Sequence, residues 1–439
     1  MRVLYSCLAY LLAPAYLGVL LWRGLRERGY WRGLGERFGL GTTLPRETIW
    51  IHAASVGEVQ AATALAHALR RASDLTLVIT TTTPAGAARA RASFAGSDTD
   101  VRHVPLDLPG SVGRFFDRAR PRIAVILETE LWPNLYHECA ARSVPLVLAN
   151  ARLSARSVRH YRLIAPLLRR TLACAHLIAA QSDADAARFR ALGAEPARIQ
   201  VIGNLKFDFS VPADIYARGR ELRARCAGAR AIWVAGSTHE GEEREVLQAH
   251  AIVRRAHPDA LLILVPRHPQ RFEEVASGLA RSAIPFARLS RGETCTAETS
   301  VLLGDTLGQL LELYAAADVA FVGGSLVPIG GHNLLEPAAL ERPILTGPHN
   351  ANGADIARLL VARGAARIVH DAHELGARLT ELLSDREARA RMGARARAVV
   401  EENRGALARL VARLEPMLAD AAKPRAAAAP AESVGLRDG

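Results

Sequence analysis

At 439 residues the chain is long enough for two or three domains with substantial cores. Half of its residues are apolar and 23% are charged, which excludes a disordered or fibrous chain over most of the length. Lys and Arg number 56 against 44 Asp and Glu, a net charge of +12 that suits an anionic partner without choosing among nucleic acid, a phosphorylated substrate and an acidic membrane surface. Only Lys206 and Lys423 are lysines, so an internal lysine stands out. The cysteines (Cys7, Cys139, Cys174, Cys226, Cys295) form no CxxC pair, which argues against a disulfide scaffold and a cysteine-rich zinc site and fits a reducing compartment.

Residues 3–22, VLYSCLAYLLAPAYLGVLLW, carry no charge. At about 1.5 Å per residue they just reach across a hydrocarbon core of about 30 Å. Arg23, Arg26, Arg28, Arg32 and Arg37 follow, diluted only by Glu27 and Glu36. A cleaved signal peptide would carry its charge ahead of the apolar run and a small-residue site behind it; only Arg2 precedes this run and no A-x-A follows. The arginines predict a downstream chain held in the cytoplasm. Tyr10 and Pro14 weaken a spanning helix, and a helix lying in the interface is the alternative. In either arrangement the basic collar meets anionic headgroups.

The middle of the chain alternates short β-rich runs with longer helical patterns. IWIHA (49–53), LTLVIT (75–80), IAVIL (123–127) and PLVLA (145–149) form a first series. After a link near 204–228 the rhythm restarts with AIWVA (231–235), LLILV (261–265), SVLLG (300–304), DVAFVG (318–323) and PILTG (343–347). Such runs predict parallel strands buried on both faces, hence two doubly wound α/β domains facing across a cleft. Ligands in these sheets bind beyond the carboxyl ends of the strands. Ser384 opens SDRE, a predicted capping box for helices that close the second domain or cross back over the first. The Ala/Pro-rich end, from about Asp420, predicts a disordered tail.

The motifs sit just after the apolar runs, and each has two readings. Ser55-Val56-Gly57-Glu58 fits a helix capping box, and also a carboxylate able to take a proton from a substrate hydroxyl. In Glu128-Thr129-Glu130-Leu131-Trp132-Pro133-Asn134 the acids suit the start of a helix, or Glu128 lines the cleft and orients a cation. Lys206, in GNLKFD (203–208), is a solvated lysine or a point charge for a phosphate or carboxylate. Arg267 and His268 lie in PRHP, a proline-bounded turn or a phosphate fork. Residues 323–352 hold two glycine pairs, Gly323-Gly324 and Gly330-Gly331, then a helix predicted to begin near His332-Asn333. Its free N–H groups would offer an anion site, with Glu336 accepting from ribose hydroxyls; the plain alternative is a glycine-rich turn with Glu336 complementing the helix dipole. The pattern departs from G-x-G-x-x-G and from the P-loop, and no H-E-x-x-H, G-x-S-x-G or Cys/His cluster occurs, so no metal site is expected.

ASVGE (54–58), ETELWPN (128–134), GNLKFD (203–208), PRHP (266–269), GDTLG (304–308) and GGSLVPIGGHNLLEPAAL (323–340), in this order behind an N-terminal apolar segment, resemble the bacterial 3-deoxy-D-manno-octulosonic acid (Kdo) transferases over roughly residues 1–418. The resemblance implies the GT-B fold and transfer of Kdo from CMP-Kdo to lipid IVA, a lipid A precursor, at the cytoplasmic face of the inner membrane, with no cofactor and no nucleic acid. It implies an anchor over 1–22, an acceptor-binding domain over 23–205, a linker over 206–228, a CMP-Kdo-binding domain over 229–418 and a tail over 419–439. By the same resemblance Glu58 is the general base, and Glu128 and Lys206 stabilise the transition state. Arg267 and His268, Leu307-Gly308-Gln309, and Asn333, Leu334, Leu335 and Glu336 hold CMP. Gln309 replaces an acid of many relatives. Alternative readings are another GT-B protein, a UDP-sugar transferase or epimerase, and a non-catalytic basic protein of the membrane surface. The low aromatic content (5%) disfavours stacking on bases.

Overall fold

The structure, a computed structural model, describes residues 1–226, 228 and 230–422. The chain forms two α/β units, one of Met1–Phe209 with the segment from Arg404 onward, the other of Ser210–Asn403. The predicted tail over 419–439 begins within the last helix, Ala406–Ala422, and its remainder lies outside the described residues.

The first unit holds strands β1 (Thr48–His52), β2 (Thr76–Thr81), β3 (Thr99–His103), β4 (Pro121–Leu127), β5 (Leu146–Ala151), β6 (Leu177–Ala180) and β7 (Ile199–Val201), in the sheet order β3-β2-β1-β4-β5-β6-β7. Every pairing is parallel. Each position of β1 and β4 is buried, as expected for strands covered on both faces. Successive side chains point to opposite faces. Ile49 and Ile51 therefore enter one core with Leu65, Leu410 and Leu414, whereas Trp50 enters the other with Phe115, Phe116, Leu135 and Leu168. The buried indole of Trp50 donates to Thr80 Oγ1 at 2.8 Å.

The second unit holds β8 (Ile232–Thr238), β9 (Leu261–Pro266), β10 (Phe286–Arg288), β11 (Val301–Leu303), β12 (Val319–Val322), β13 (Ile344–Thr346) and β14 (Ala366–Ile368), in the order β10-β11-β9-β8-β12-β13-β14, again all parallel. Trp233, on β8, lies at 0% exposure and donates to His250 Nδ1 at 3.1 Å. His250 is kept neutral by burial, its pKa falling to about 4.

Several expectations need correction. The first unit extends to Phe209, and most of the predicted linker is helical: Leu205–Asp208 is a 3₁₀ turn and Ile215–Cys226 an α-helix. Ser384 ends one helix instead of opening the next; Asp385 is the cap and accepts from Ala388 N at 2.8 Å. The N-terminal helix runs from Arg2 to Arg26, past the expected end at 22, and is long and apolar enough to cross a membrane. The last helix belongs to the first unit, not the second. Asp208 accepts from Gly405 N and Leu407 N at 2.5 Å each, capping that helix, and Ala406, Leu410, Leu414 and Leu418 fill the first unit's core.

Replacing Leu410 by Ala should destabilise the first unit by about 2–5 kcal/mol, because a fully buried leucine leaves a cavity. Differential scanning calorimetry should show that unit's unfolding transition moving down while the second unit's stays in place.

Candidate functional site

In the first unit the strand order reverses between β1 and β4, the position at which doubly wound sheets open a crevice beyond their carboxyl ends. Glu58 follows β1 and Glu128 follows β4. Ser55 caps the helix Val56–Ala72, accepting from Glu58 N at 3.4 Å, while its hydroxyl donates to Glu58 Oε1 at 2.8 Å. Ala54 N donates to Glu58 Oε2 at 2.8 Å. The helix-capping reading is therefore realised, and the same bonds fix the carboxylate in place. Burial, and next the charge of Glu128, push the Glu58 pKa up against these hydrogen bonds and Lys206.

Glu128 takes the left-handed conformation, φ 59°, rare for a residue with a Cβ, while its N–H still donates to Ala149 O at 2.9 Å. Strain of this kind concentrates at functional sites. Its Oε1 accepts from Lys206 Nζ at 3.2 Å and its Oε2 lies 3.9 Å from Arg152 Nε. The lysine is placed from two sides. Asn150, also left-handed (φ 51°), accepts from Leu205 N at 3.0 Å, and Asn204 accepts from Lys206 N at 3.0 Å. The structure thus brings Glu58, Glu128 and Lys206 into one charge cluster.

Glu130 joins it and was not singled out in the sequence. Burial and the charges of Glu58 and Glu128 raise its pKa to about 7. Beside it the Trp132 ring packs 4.9 Å from His52, a buried imidazole that donates to or accepts from Thr80 Oγ1 at 2.9 Å and whose pKa burial lowers to about 3. The helix Pro133–Ala141 then begins against Asp107, which accepts from Asn134 N at 3.1 Å and Leu135 N at 2.8 Å.

In the second unit the order reverses between β8 and β12. His239 follows β8, Arg267 and His268 follow β9, and the first glycine pair follows β12. That pair does not offer its amides to a ligand. Glu242, fully buried, accepts from Gly324 N at 2.6 Å, Ser325 N and Leu326 N at 2.9 Å each, and His239 N at 3.0 Å. An internal carboxylate thus gathers the amides of the turn after β12, apart from the helix start predicted near His332-Asn333. Gly324 (φ +67°) is needed there, since a Cβ would lie 2.8 Å from the His332 ring.

Around it His239 Nε2 lies 2.8 Å from His332 Nε2, with the two ring planes 5° apart, and His268 meets His239 edge-on at 5.1 Å. Burial, reinforced by Arg267, lowers the His332 pKa to about 4, so the facing pair is neutral and one ring donates to the other. The expected helix starts later than His332-Asn333, at Leu335, and runs to Ala339. Asn333 Oδ1 accepts from Leu335 N and its Nδ2 donates to Glu336 Oε1, both at 3.1 Å. Burial raises the Glu336 pKa against Asn333 and Arg267. Leu334 and Leu335 are buried, leaving only their backbone for a ligand. Leu307, Gly308 and Gln309 belong to a separate loop after β11. There Leu307 is 72% exposed, Gly308 has φ +81° with open space where a Cβ would stand, and Gln309 caps Leu310–Ala316 through its carbonyl alone, accepting from Leu313 N at 3.1 Å. The residues missed in the sequence, Glu130, His239 and Glu242, all lie just beyond strand ends, the one signal that marked them.

Glu130 tests the electrostatics of the cluster. An acid whose folded pKa is raised loses stabilisation as pH climbs from its unfolded value, about 4.3, to its folded value near 7. Glu130→Gln should therefore raise Tm above pH 7 and leave it unchanged below about pH 4, in thermal melts across that range.

Residues 32–209 match the family described as 3-deoxy-D-manno-octulosonic-acid transferase (kdotransferase). The 3-deoxy-D-manno-octulosonic acid transferase of Haemophilus influenzae is 40% identical over 422 residues, covering 95% of this chain and 99% of its own. That of Bordetella pertussis is 37% identical over 430 residues, covering 93% and 99%. Among solved structures, the UDP-GlcNAc 2-epimerase of Neisseria meningitidis bound to UDP-GlcNAc covers 85% of this chain and 100% of its own at a TM-score of 0.56 and 10% identity. Anabaena HepE in complex with UDP and glucose covers 85% and 99% at 0.55 and 16%. At these identities the likeness is one of fold, two parallel-sheet α/β domains of the GT-B type. The identity to the Haemophilus and Bordetella enzymes, carried over nearly the whole of each chain, places this protein in the 3-deoxy-D-manno-octulosonic acid transferase family, and its activity is that of a Kdo-transferring glycosyltransferase.

Proposed function

We propose that this transferase moves Kdo from CMP-Kdo to a sugar hydroxyl of lipid IVA, with inversion, at the cytoplasmic face of the inner membrane. The observation that carries the reading is the Glu58 carboxylate, held by Ala54 N and Ser55 Oγ beside Glu128 and Lys206 at the end of β1. The acceptor oxygen attacks the anomeric carbon and forms the new glycosidic bond. Its proton passes to Glu58, and the bond from the anomeric carbon to the CMP phosphate oxygen breaks, the electron pair leaving with CMP. Lys206, steadied by Glu128, meets charge that develops in the transition state.

In the second unit, Arg267 and the backbone around Asn333 and Glu336 are assigned to CMP, Arg267 to its phosphate and Glu336 to the ribose hydroxyls. His268 and the loop Leu307-Gly308-Gln309 complete that assignment. Gln309 is assigned to the donor through its backbone; its side chain caps nothing in the helix that follows. Leu334 and Leu335 shape the turn from beneath. The reading requires no cofactor beyond the two substrates. The N-terminal apolar helix and its arginines attach the chain to the membrane that carries the acceptor.

Glu58→Gln should lower kcat about 10²–10⁴-fold while CMP still binds and protects against heat. Mass spectrometry of lipid IVA incubated with CMP-Kdo reads the product, and near-normal turnover would remove Glu58 as the base. In the unsubstituted enzyme the acid limb of kcat/KM should lie above the ordinary glutamate value of about 4.3, with activity falling as pH drops through it. Tighter competition by UDP than by CMP would overturn the choice of donor.

A further inference from the structure

His239 follows β8, His332 follows the turn after β12, and the transfer step leaves both unused. Their rings lie edge to edge: the planes are 5° apart, the centroids 5.0 Å apart and the Nε2 atoms 2.8 Å apart. That is an in-plane N–H···N hydrogen bond, and it dictates how the pair can titrate. One ring donates through Nε2 and the other accepts there. The donating ring then keeps Nδ1 as its lone pair. Two imidazolium rings cannot face each other in this way, since both Nε2 atoms would carry hydrogen. The pair therefore takes up at most one further proton, at Nδ1 of the donating ring, and the bond between the rings becomes charge-assisted. Gly324 keeps the rings together from beneath; a Cβ there would lie 2.8 Å from His332 Cδ2 and 3.5 Å from His239 Cδ2.

The charges around the pair come from the loops after β8 and β9 and from its own turn. After β8, Glu242 is committed to four backbone amides, and Glu243 to Arg271 at 2.6 Å. After β9 come Arg267, exposed, and His268, edge-on to His239. In the turn itself Glu336 accepts from Asn333. Burial first, then Arg267 and the neighbouring rings, hold His332 near 4; burial and then His268 lower His239, with Glu242 pulling the other way. An anion seated on Arg267 reverses this balance, because it offsets the guanidinium and favours an imidazolium. Its affinity then rises as pH falls from the pair's bound value toward its free value, with a proton taken up on binding. The reaction itself adds charge at that place. The donor phosphate is a diester with one negative charge, and the departing CMP is a monoester carrying about −1.5 to −2 at pH 7.

We propose that His239 and His332 form a proton-binding pair for the donor: one proton enters from solvent as the phosphate settles on Arg267, stays as an imidazolium beside the departing CMP, and returns to solvent when CMP leaves. The inference rests on the assignment of CMP to the second unit and adds a positive charge that the free enzyme does not hold. The acceptor's proton still goes to Glu58. Isothermal titration calorimetry of the full-length enzyme with CMP, at about pH 7 in buffers of different ionisation enthalpy, counts the protons exchanged. The unsubstituted enzyme should take up about 0.5–1 proton more than His239→Gln or His332→Gln, whose amides keep a hydrogen bond but do not titrate. The ionisation of CMP itself enters every titration equally and drops out of the difference. The double variant should lose no more than either single one, since the two rings share one proton. Between about pH 8 and pH 6 the affinity of the unsubstituted enzyme for CMP should rise about tenfold more than that of the variants. Equal proton uptake in all the proteins would overturn the proposal. So would a loss of affinity that is the same at every pH, which would make the pair a structural support of the turn. Either single variant suffices should the other not fold. Absence of CMP binding by the unsubstituted enzyme would overturn the donor assignment and the proposal with it, a result told apart by the missing saturation.

Discussion

A parallel sheet covered by helices on both faces leaves its strands no contact with water except at their ends. In this chain that constraint decides where charge can gather. β1 and β4 are buried at every position; Glu128 is the first residue past β4, and Glu58 lies in the first turn of the helix after β1, the two strands between which the order reverses. The second unit repeats the arrangement with His239 after β8 and the glycine turn after β12. The chemistry of each unit follows from this geometry, and the helices beyond the strands set how rigidly each group is held.

Both sites spend carboxylates on holding backbone. Glu58 closes the first turn of its own helix, so its orientation does not await a substrate. Glu242 gathers four amides of the turn after β12 and the loop after β8, a ligand built into the protein. A turn organised in this way is formed before any nucleotide arrives, and binding need not order it. The same economy explains why the helix Leu335–Ala339 can be so short: Asn333 and Glu336 supply the contacts that a longer helix would take from its own repeat.

The sequence made the central strands readable because IWIHA, IAVIL and LLILV are apolar throughout, and it made Glu58, Glu128 and Lys206 readable because they stand just past such runs or in a distinct motif. Other parts were hidden for physical reasons. TDVRH in β3 lies at a sheet edge and has too much polarity to look like a strand, yet Arg102 and His103 are buried there, Arg102 paired with Asp100 of the same strand and His103 with Glu36 and Arg37 from elsewhere in the chain. Glu242 reads as one more acid at a helix start; only the fold brings Gly324–Leu326 to it, 82 residues on. The glycine pairs pack against the protein's own groups, Gly324 against the His332 ring and Gly330 against Asn352, which no local pattern announces. Asn150 and Glu128, both left-handed, carry no local mark at all, since their strain is imposed by the site they build.

The helix Ala406–Ala422 returns to the first unit after the whole second unit has intervened. On the ribosome, at about 5–20 residues per second, the roughly 200 residues between the two parts take on the order of 10–40 s to emerge. Through that interval the Ile49–Ile51 side of the first sheet lacks Leu410, Leu414 and Leu418. The nascent first unit must therefore wait, half covered and adhesive, while its neighbour folds ahead of it, and a message truncated near codon 403 yields a product whose earliest-made half is the one left incomplete.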